Sequence, residues 1–274
     1  MSTHEPPVPM TSNEYATAFS RKALIYDAFG EDHPNLARMR QRVRSHVARH
    51  LASGARLLEL NAGTGGDAAW FAERGHSVLA TDLSPGMVAE IEAKMAGGNY
   101  GDRLQARRLS FTELDTLDAG LFDLVFSNMG GLNCIPDLAA VTRHLPDVLR
   151  PGGVATFVIM PPICPWEWGG FLRGDFRTPF RRLTLGGTRA RVEGVAIMTY
   201  YFSPRRTIAA FGDRFERIGL ESLSLFTPPA DRKNFAHRFP RLFALLAHLD
   251  DWAAPRFPFN HWGDFFILSM RLRR

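Results

Sequence analysis

The 274-residue sequence contains few cysteines: only Cys134 and Cys164, with no C-x-x-C pair. Two isolated cysteines provide neither a disulfide framework nor a cysteine-based metal site, and no spacing of His, Asp or Glu is typical of a metal site either. No apolar run approaches the ~20 residues of a membrane span, and the first ten residues, MSTHEPPVPM, lack the pattern of a signal peptide. These absences predict a cytoplasmic protein without a metal or a membrane segment.

The chain also lacks a concentrated charge of one sign. Its net charge is +5, from 33 Lys and Arg against 28 Asp and Glu. A basic chain can bind nucleic acid, but these arginines are scattered and are not interleaved with aromatic residues. A solvated basic surface is therefore the simpler interpretation, and a nucleic-acid partner is disfavoured. The apolar content of 45% is ordinary for a globular core.

One stretch, residues 56–90, has the order strand, glycine loop, helix, strand, acid, helix. The apolar run at 57–60 suits a buried strand, glycines follow at 63, 65 and 66, and Asp82 stands at the end of a second strand. Glycines let the backbone approach a ligand, and the N–H groups of the following helix point at it. An acid about 20 residues after such a loop commonly binds ribose hydroxyls. The stretch therefore predicts an adenosine-containing ligand.

The loop sequence N-A-G-T-G-G-D departs from the dinucleotide pattern G-x-G-x-x-G, because Asn61 takes the place of the first glycine. Glu59 would repel a pyrophosphate but would suit the cationic S-adenosylmethionine (SAM). Both features disfavour a nicotinamide oxidoreductase. The segments LLELNAGTG and ATDLSPGMV resemble the first two motifs of the class I SAM-dependent methyltransferases, and LRPGG before an apolar strand resembles a further signature of that family. Asn61 departs from the usual glycine of the family, but asparagine tolerates the positive φ that this position requires.

The resemblance implies an α/β fold: a Rossmann-like, doubly wound, seven-stranded sheet that is mostly parallel, with the last strand antiparallel and with inserted lid segments. The expected parts are an N-terminal tail with cap helices (1–54), a SAM-binding core (55–160) and an inserted lid with a hairpin (161–203). The last part (204–274) completes the sheet and contains a helical cap at 228–258. Three finer expectations are a hairpin built from 182–202 that either extends the sheet or roofs the site, a helix from 203 to about 218 followed by a strand at 220–226, and a closing strand at 262–272. Pro146 predicts a break in the helix at 137–149.

The resemblance also implies which residues bind SAM. They lie on the cap helix, in the glycine loop and after the predicted strands: Tyr26, Glu59, Asn61, Gly63, Thr64, Gly65, Asp82, Leu83, Met87, Ser110, Phe111, Asn128, Met129 and Asn133. Tyr26 and Phe111 equally suit core packing, and Asn128 and Asn133 equally suit turn chemistry. Cys134 is interpreted as a small buried hydrophobe, because no His-Asp pattern supports a nucleophile.

Candidates for acceptor binding and acid–base chemistry come mostly from the last third of the chain. Tyr15, Trp166, Trp168 and Trp262 are the substrate-binding candidates, although each tryptophan equally suits the filling of a hydrophobic gap. A general base is needed only if the acceptor is protonated at neutral pH. His237 and His261 are the main candidates, with Glu167 and Asp175 as weaker ones, and surface or packing roles explain the histidines equally well.

The leading functional hypothesis is methyl transfer from SAM to a small-molecule acceptor at O, N or C, in specialised metabolism, with S-adenosylhomocysteine as product. Two alternatives remain open. One is a different SAM chemistry on the same fold, such as aminocarboxypropyl transfer or cyclisation, and the other is a non-catalytic SAM-binding protein. The expected partner is the acceptor alone, and a homodimer is left open.

Overall fold

The structure, a computed structural model, describes residues 11–30, 32–169, 174, 178–184, 186–192 and 195–274. The strands are, in chain order, β1 (Arg56–Leu60), β2 (Ser77–Asp82), β3 (Leu104–Arg108), β4 (Phe122–Ser127), β5 (Leu149–Ile159), β6 (Thr188–Val192), β7 (Val195–Thr199), β8 (Phe215–Leu223) and β9 (Phe265–Leu272). The helices are α1 (Ser12–Gly30), α2 (Pro34–Ala48), α3 (Gly66–Glu73), α4 (Pro85–Gly97), α5 (Ala139–Thr142), α6 (Leu145–Val148), α7 (Pro165–Trp168), α8 (Pro204–Phe211), α9 (Phe235–Arg238) and α10 (Pro240–Ala253). Within the described helices, none is both long and apolar enough to cross a membrane.

Seven strands form one sheet in the order β3-β2-β1-β4-β5-β9-β8. The pairs from β3 to β5 are parallel, whereas β9 runs antiparallel to both β5 and β8. The predicted fold class, with its antiparallel last strand, is confirmed. The strand order reverses between the neighbours β1 and β4, which opens a crevice beyond their carboxyl ends.

Both faces of the sheet are covered, as the continuous apolar runs in the strands predict. One buried cluster includes Phe122, Phe157 and Phe266, and a second, on α2, α3 and the other face, includes Met39 and Phe71. Because every central strand is buried on both sides, the polar side chains of β1, β2 and β4 gather at the strand ends. That placement puts the crevice and the polar residues in the same region.

Two local features that the sequence predicts hold the loops next to the crevice. Ser84 caps α4, since its hydroxyl accepts a hydrogen bond from the Met87 N–H at 3.2 Å, and Pro85 occupies the first turn. Gly65 has φ +76° at the start of α3, where an added Cβ would lie 2.9 Å from Cγ1 of Ile91. A side chain at Gly65 would therefore push α3 and α4 apart.

The structure corrects several predicted bounds. The helix expected from 203 to about 218 ends at Phe211, because Gly212 adopts φ +66°, and β8 begins at Phe215 instead of 220. The closing strand begins at Phe265 instead of 262. The break predicted by Pro146 is confirmed by the separation of α5 and α6.

The hairpin predicted from 182–202 is smaller than expected. Its strands β6 and β7 pair only with each other, as a two-stranded sheet beside α1, and do not extend the main sheet. Thr178–Leu183 is a short 3₁₀ helix instead of a strand, and its Arg182 side chain is buried against two carboxylates. The inserted lid predicted at 161–203 lies partly outside the described residues, at 170–173, 175–177, 185 and 193–194.

Candidate active site

A cavity of about 420 Å³ lies at the carboxyl ends of β1, β2 and β4, beneath α1. Its volume is within the range of about 300–1,000 Å³ that is usual for small-molecule sites. Its wall contains eleven of the fourteen residues predicted to bind SAM: Tyr26, Asn61, Gly63, Asp82, Leu83, Met87, Ser110, Phe111, Asn128, Met129 and Asn133.

Asp82 is the buried acid of this wall. One carboxylate oxygen accepts a hydrogen bond from the Gly63 N–H and the other from the Ser84 N–H, both at 2.9 Å. Burial raises the pKa of Asp82 to about 6, against the opposing effect of these N–H donors. A carboxylate has about four acceptor positions, so two remain for hydroxyl groups of a ligand.

Asn61 joins the ends of β1 and β4 at the point where the strand order reverses. Its φ is +46°, as its place in the glycine loop predicts. The Ser127 hydroxyl donates to Oδ1 of Asn61 at 2.6 Å, and Nδ2 of Asn61 donates to the Asn128 carbonyl at 3.1 Å. The side chain that replaces the family's glycine therefore orders the crevice.

Glu59, Thr64 and Gly65 support the loop from behind and do not line the cavity. Glu59 is 3% exposed, and burial raises its pKa well above the ordinary value, with a further increase from Asp67 that Arg44 opposes. This environment favours the protonated carboxyl group. Glu59 therefore lies beneath the loop, and its contact with SAM remains a prediction.

Helix α1 is held over the glycine loop by polar contacts that the sequence did not predict. The Thr64 hydroxyl donates to Asp27 at 2.6 Å, and Lys94 also donates to Asp27. Tyr26, the neighbour of Asp27, packs over Gly63, where an added Cβ would lie 3.7 Å from its ring. In the sequence, the adjacent pair Tyr26-Asp27 indicates this arrangement, because Tyr26 covers the cavity and Asp27 binds the glycine loop through Thr64.

Asn133 also contributes to the cavity wall, but its amide is committed to the backbone. Nδ2 donates to the carbonyls of Tyr200 and Met160, at 2.6 and 3.2 Å, and Oδ1 accepts from the Met160 N–H at 3.0 Å. Asn133 thereby joins β5 to the segment after β7. Asn128 is bound similarly, since its Nδ2 donates to Asp67 at 2.7 Å.

The side of the cavity under β7 is apolar and closed by Tyr15. The Tyr15 hydroxyl donates to the Met198 carbonyl at 3.0 Å, and burial raises its pKa above the ordinary range. Cys134 lies on the same wall, and burial raises its pKa to about 12. It is therefore a thiol at neutral pH, in agreement with the interpretation as a small hydrophobe.

A second cavity, of about 990 Å³, adjoins the first and is bounded by α1, α2, α7 and the start of β9. Trp166, a predicted substrate-binding residue, lines it and donates from Nε1 to the Phe226 carbonyl at 2.7 Å. Arg182, which is buried, binds Glu167 at 2.7 Å and Asp264 at 2.8 Å. Sequence reasoning missed this cavity, because its wall combines residues separated by more than 200 positions.

Several residues predicted to act as a base or to bind substrate do not line either cavity. His237 is 45% exposed and pairs with Asp32, while His261, Trp168 and Trp262 lie outside both walls. The predicted bases thus lie on a peripheral helix and a peripheral 3₁₀ turn. Glu167 lines the second cavity, but its two oxygens accept hydrogen bonds from Arg181 and Arg182. Asp175 lies outside the described residues.

Residues 57–153 match the model of a methyltransferase domain. The demethylmenaquinone methyltransferase of Beutenbergia cavernae is 38% identical over 135 residues, which cover 47% of this chain and 52% of the relative. The malonyl-[acyl-carrier protein] O-methyltransferase of Enterobacter lignolyticus is 33% identical over 153 residues, covering 56% and 55%. The chain thus spans about half the length of the curated relatives it matches.

The fold is also similar to a solved structure over nearly its whole length. The 1,6-didemethyltoxoflavin-N1-methyltransferase of Burkholderia thailandensis, solved with 1,6-didemethyltoxoflavin and S-adenosylhomocysteine, superposes with a TM-score of 0.57 at 17% identity, over 98% of this chain and 93% of that one. The sheet order and the crevice at the reversal of strand order define a Rossmann-like fold. Within this fold, residues 57–153 match a methyltransferase domain, and the chain is similar to SAM-dependent methyltransferases over about half of its length.

Proposed function

We propose that this protein transfers a methyl group from SAM to a small-molecule acceptor at O, N or C. The observation that carries this proposal is the buried Asp82 carboxylate on the cavity wall, bonded to the Gly63 N–H at the end of β2. The carboxylate oxygens of Asp82 can still accept hydrogen bonds and lie next to the backbone of Gly63, so they suit the two hydroxyl groups of a ribose.

The residues of the first cavity fit the rest of SAM. Ser110 and Phe111, which follow β3, line the part of the cavity that would hold the adenine ring, and Asn61, Asn128 and Met129, which follow β1 and β4, line the part that would hold the amino acid. SAM supplies a methyl group that its sulfonium activates. The protein binds and aligns the two reactants, and α1 with Tyr15 and Tyr26 excludes water from them.

The relatives support the small-molecule class of acceptor. Their names refer to demethylmenaquinone and to a malonyl group on a carrier protein, and the solved structure is named for a didemethyltoxoflavin. Each name describes that protein alone. What the names share is an organic acceptor, and a cavity system at the carboxyl edge of the sheet suits such a molecule.

The proposal is tested by calorimetric titration with SAM, S-adenosylhomocysteine and NAD. We expect micromolar binding of the first two and none of NAD. Mass spectrometry of the nucleoside product then separates the chemistries, since methyl transfer yields S-adenosylhomocysteine and aminocarboxypropyl transfer yields methylthioadenosine. Binding of NAD alone would contradict the proposal, and SAM binding without turnover of any acceptor would favour a non-catalytic SAM-binding protein.

Three further predictions accompany this proposal. We predict domain boundaries near residues 54, 160 and 203. At these positions the cap helices are followed by the SAM-binding core, the core by the inserted lid, and the lid by the C-terminal part of the sheet. A homodimer remains a prediction, which the exposed apolar side chains of α10 support: Leu242, Leu245, Leu249 and Trp252. Analytical ultracentrifugation tests it. A cytoplasmic location also remains a prediction.

A further inference from the structure

The two cavities are neighbours along one edge of the sheet. Lys22, Tyr26, Met129 and Met160 line both of them. In the order of the strands, the first cavity extends from the residues after β3 to Met160 after β5, and the second from Met129 after β4 to the start of β9. A molecule in the second cavity would therefore meet a ligand of the first at its end near β4, opposite Ser110 and Phe111.

The wall of the second cavity carries more positive than negative charge. Five basic side chains line it, Lys22, Arg40, Arg181, Arg182 and Arg232, against three acidic ones, Glu167, Asp231 and Asp264. Glu167 and Asp264 are bound by Arg181 and Arg182. Arg181 and Arg182 are therefore committed to carboxylates, which leaves Arg40, on the α2 side of the cavity, as a candidate for binding an anion.

Arg40 is the strongest candidate on that side. It lines the second cavity and not the first, and its Cζ lies 6.0 Å from the centroid of the Tyr26 ring, which lines both. Among the described residues, Arg40 takes part in no ion pair, whereas Arg38, Arg42 and Arg44 on the same helix each bind a carboxylate. Its guanidinium thus retains donors for an anion at the junction of the cavities.

The remainder of the wall is apolar. Leu36, Met129, Met160, Trp166, Phe235 and Phe265 contribute to it. An apolar body with a single anionic group would match both parts of this wall, because the body would be removed from water and the anion would be paired.

We propose that the second cavity binds the methyl acceptor, and that the acceptor is an apolar molecule with an anionic oxygen group that Arg40 binds. This inference rests on the proposed function, because it assumes that the first cavity holds SAM. Binding the anion at Arg40 places the acceptor next to Tyr26 and Met129, where the cavities meet.

The test uses 2-naphthoate and its neutral isostere 2-naphthamide as probes, titrated calorimetrically into protein saturated with S-adenosylhomocysteine. We expect the wild type to bind 2-naphthoate at least about tenfold more tightly than the amide. Arg40→Met should remove this preference and leave the affinity for S-adenosylhomocysteine unchanged, and Arg40→Lys should keep part of it. Arg205→Met is the matched control, because Arg205 is exposed on α8 and lines neither cavity.

The outcomes separate this inference from the proposed function. If S-adenosylhomocysteine does not bind the wild type, the proposed function fails. If it binds but the wild type shows no preference for naphthoate, or if Arg40→Met keeps the preference, only the acceptor inference is overturned. A loss of S-adenosylhomocysteine affinity in both Arg40 variants would place Arg40 at the cofactor and overturn the inference as well. Titration of 2-naphthyl phosphate then shows whether the site prefers a carboxylate or a phosphate.

Discussion

Asn61 and Gly131 share one space at the ends of β1 and β4, since an added Cβ on Gly131 would lie 2.3 Å from Cγ and Nδ2 of Asn61. The family's usual glycine at position 61 would leave this space open. In this chain the asparagine fills it and forms hydrogen bonds to Ser127 and Asn128. A side chain is therefore tolerated at 61 only because none is present at 131.

Gly131→Ala should lower both stability and SAM affinity, because the methyl group displaces the Asn61 side chain; overpacking of this kind costs about 1–3 kcal/mol. Adding Asn61→Gly should restore much of the loss, since it vacates the space. Thermal unfolding and SAM titration of the single and double variants measure the coupling. Gly97→Ala is the control, with no atom within 4 Å of the added Cβ. Additive effects of the two substitutions would contradict the shared space.

Asp82→Asn should weaken SAM binding by about tenfold, because an amide offers one acceptor oxygen where the carboxylate offers two. The pH dependence follows from burial, which raises the pKa of Asp82 to about 6. Below this pH the carboxyl group is protonated and loses acceptor capacity, so wild-type affinity should decrease from pH 7 to pH 5. The variant should lack this decrease. Asp102→Asn, at an exposed acid outside both cavities, should behave like the wild type.

Glu221→Gln should lower stability at neutral pH. Burial alone would raise the pKa of Glu221, but hydrogen bonds from His46 and Arg49 outweigh it and lower the pKa to about 2. A carboxylate with a lowered pKa stabilises the fold above its unfolded value of 4.5, and this stabilisation is lost as the pH falls from 4.5 to 2. We expect a loss of about 2–3 kcal/mol at pH 7 in the variant.

The measurement is urea unfolding of wild type and Glu221→Gln at several pH values. The difference between them should shrink as the pH falls through this window, whereas a difference that stays constant would assign the effect to packing. Glu216→Gln is the control, because Glu216 is an exposed acid on the same strand, β8.

Thr64→Val should loosen α1, because it removes the hydroxyl that binds Asp27 at 2.6 Å while keeping the volume. One such bond contributes about 1–2 kcal/mol. We expect faster hydrogen exchange in α1 and a severalfold weaker SAM affinity, with little change in the exchange of β4 and β5. Thr116→Val, whose hydroxyl bonds only within a local turn, should leave the exchange of α1 unchanged. Equal exchange in the two variants would show that α1 is held by packing alone.

Much of the cofactor region was predictable because its signals are local. The apolar runs, the glycines at 63, 65 and 66, the cap at Ser84 and the break at Pro146 each act within a few residues. The positive φ of Asn61 follows from the same local pattern. The seven-stranded sheet with an antiparallel last strand followed from the family resemblance, and the structure confirms it.

The acceptor side was not predictable in the same way. The sequence indicated His237 and His261 by residue type, but whether a side chain faces a cavity depends on how α9 and the turn before β9 pack against the core. The pairing of Arg182 with Asp264 crosses 82 positions and has no sequence signal. Arg40 also has no sequence signal, because α2 carries several arginines and the sequence does not show which of them lines the second cavity.

The sequence by itself therefore determined the resemblance to a family, the strand–loop–helix unit that surrounds Asp82, and eleven of the residues that line the first cavity. These depend on backbone conformations and burial patterns that a short segment specifies. Only the tertiary structure decided which contacts hold α1 over that cavity, that the predicted histidines lie away from it, and that a second cavity, lined by Arg40, adjoins it. Those features are distances between segments far apart in the chain, and they are set by packing of the whole molecule.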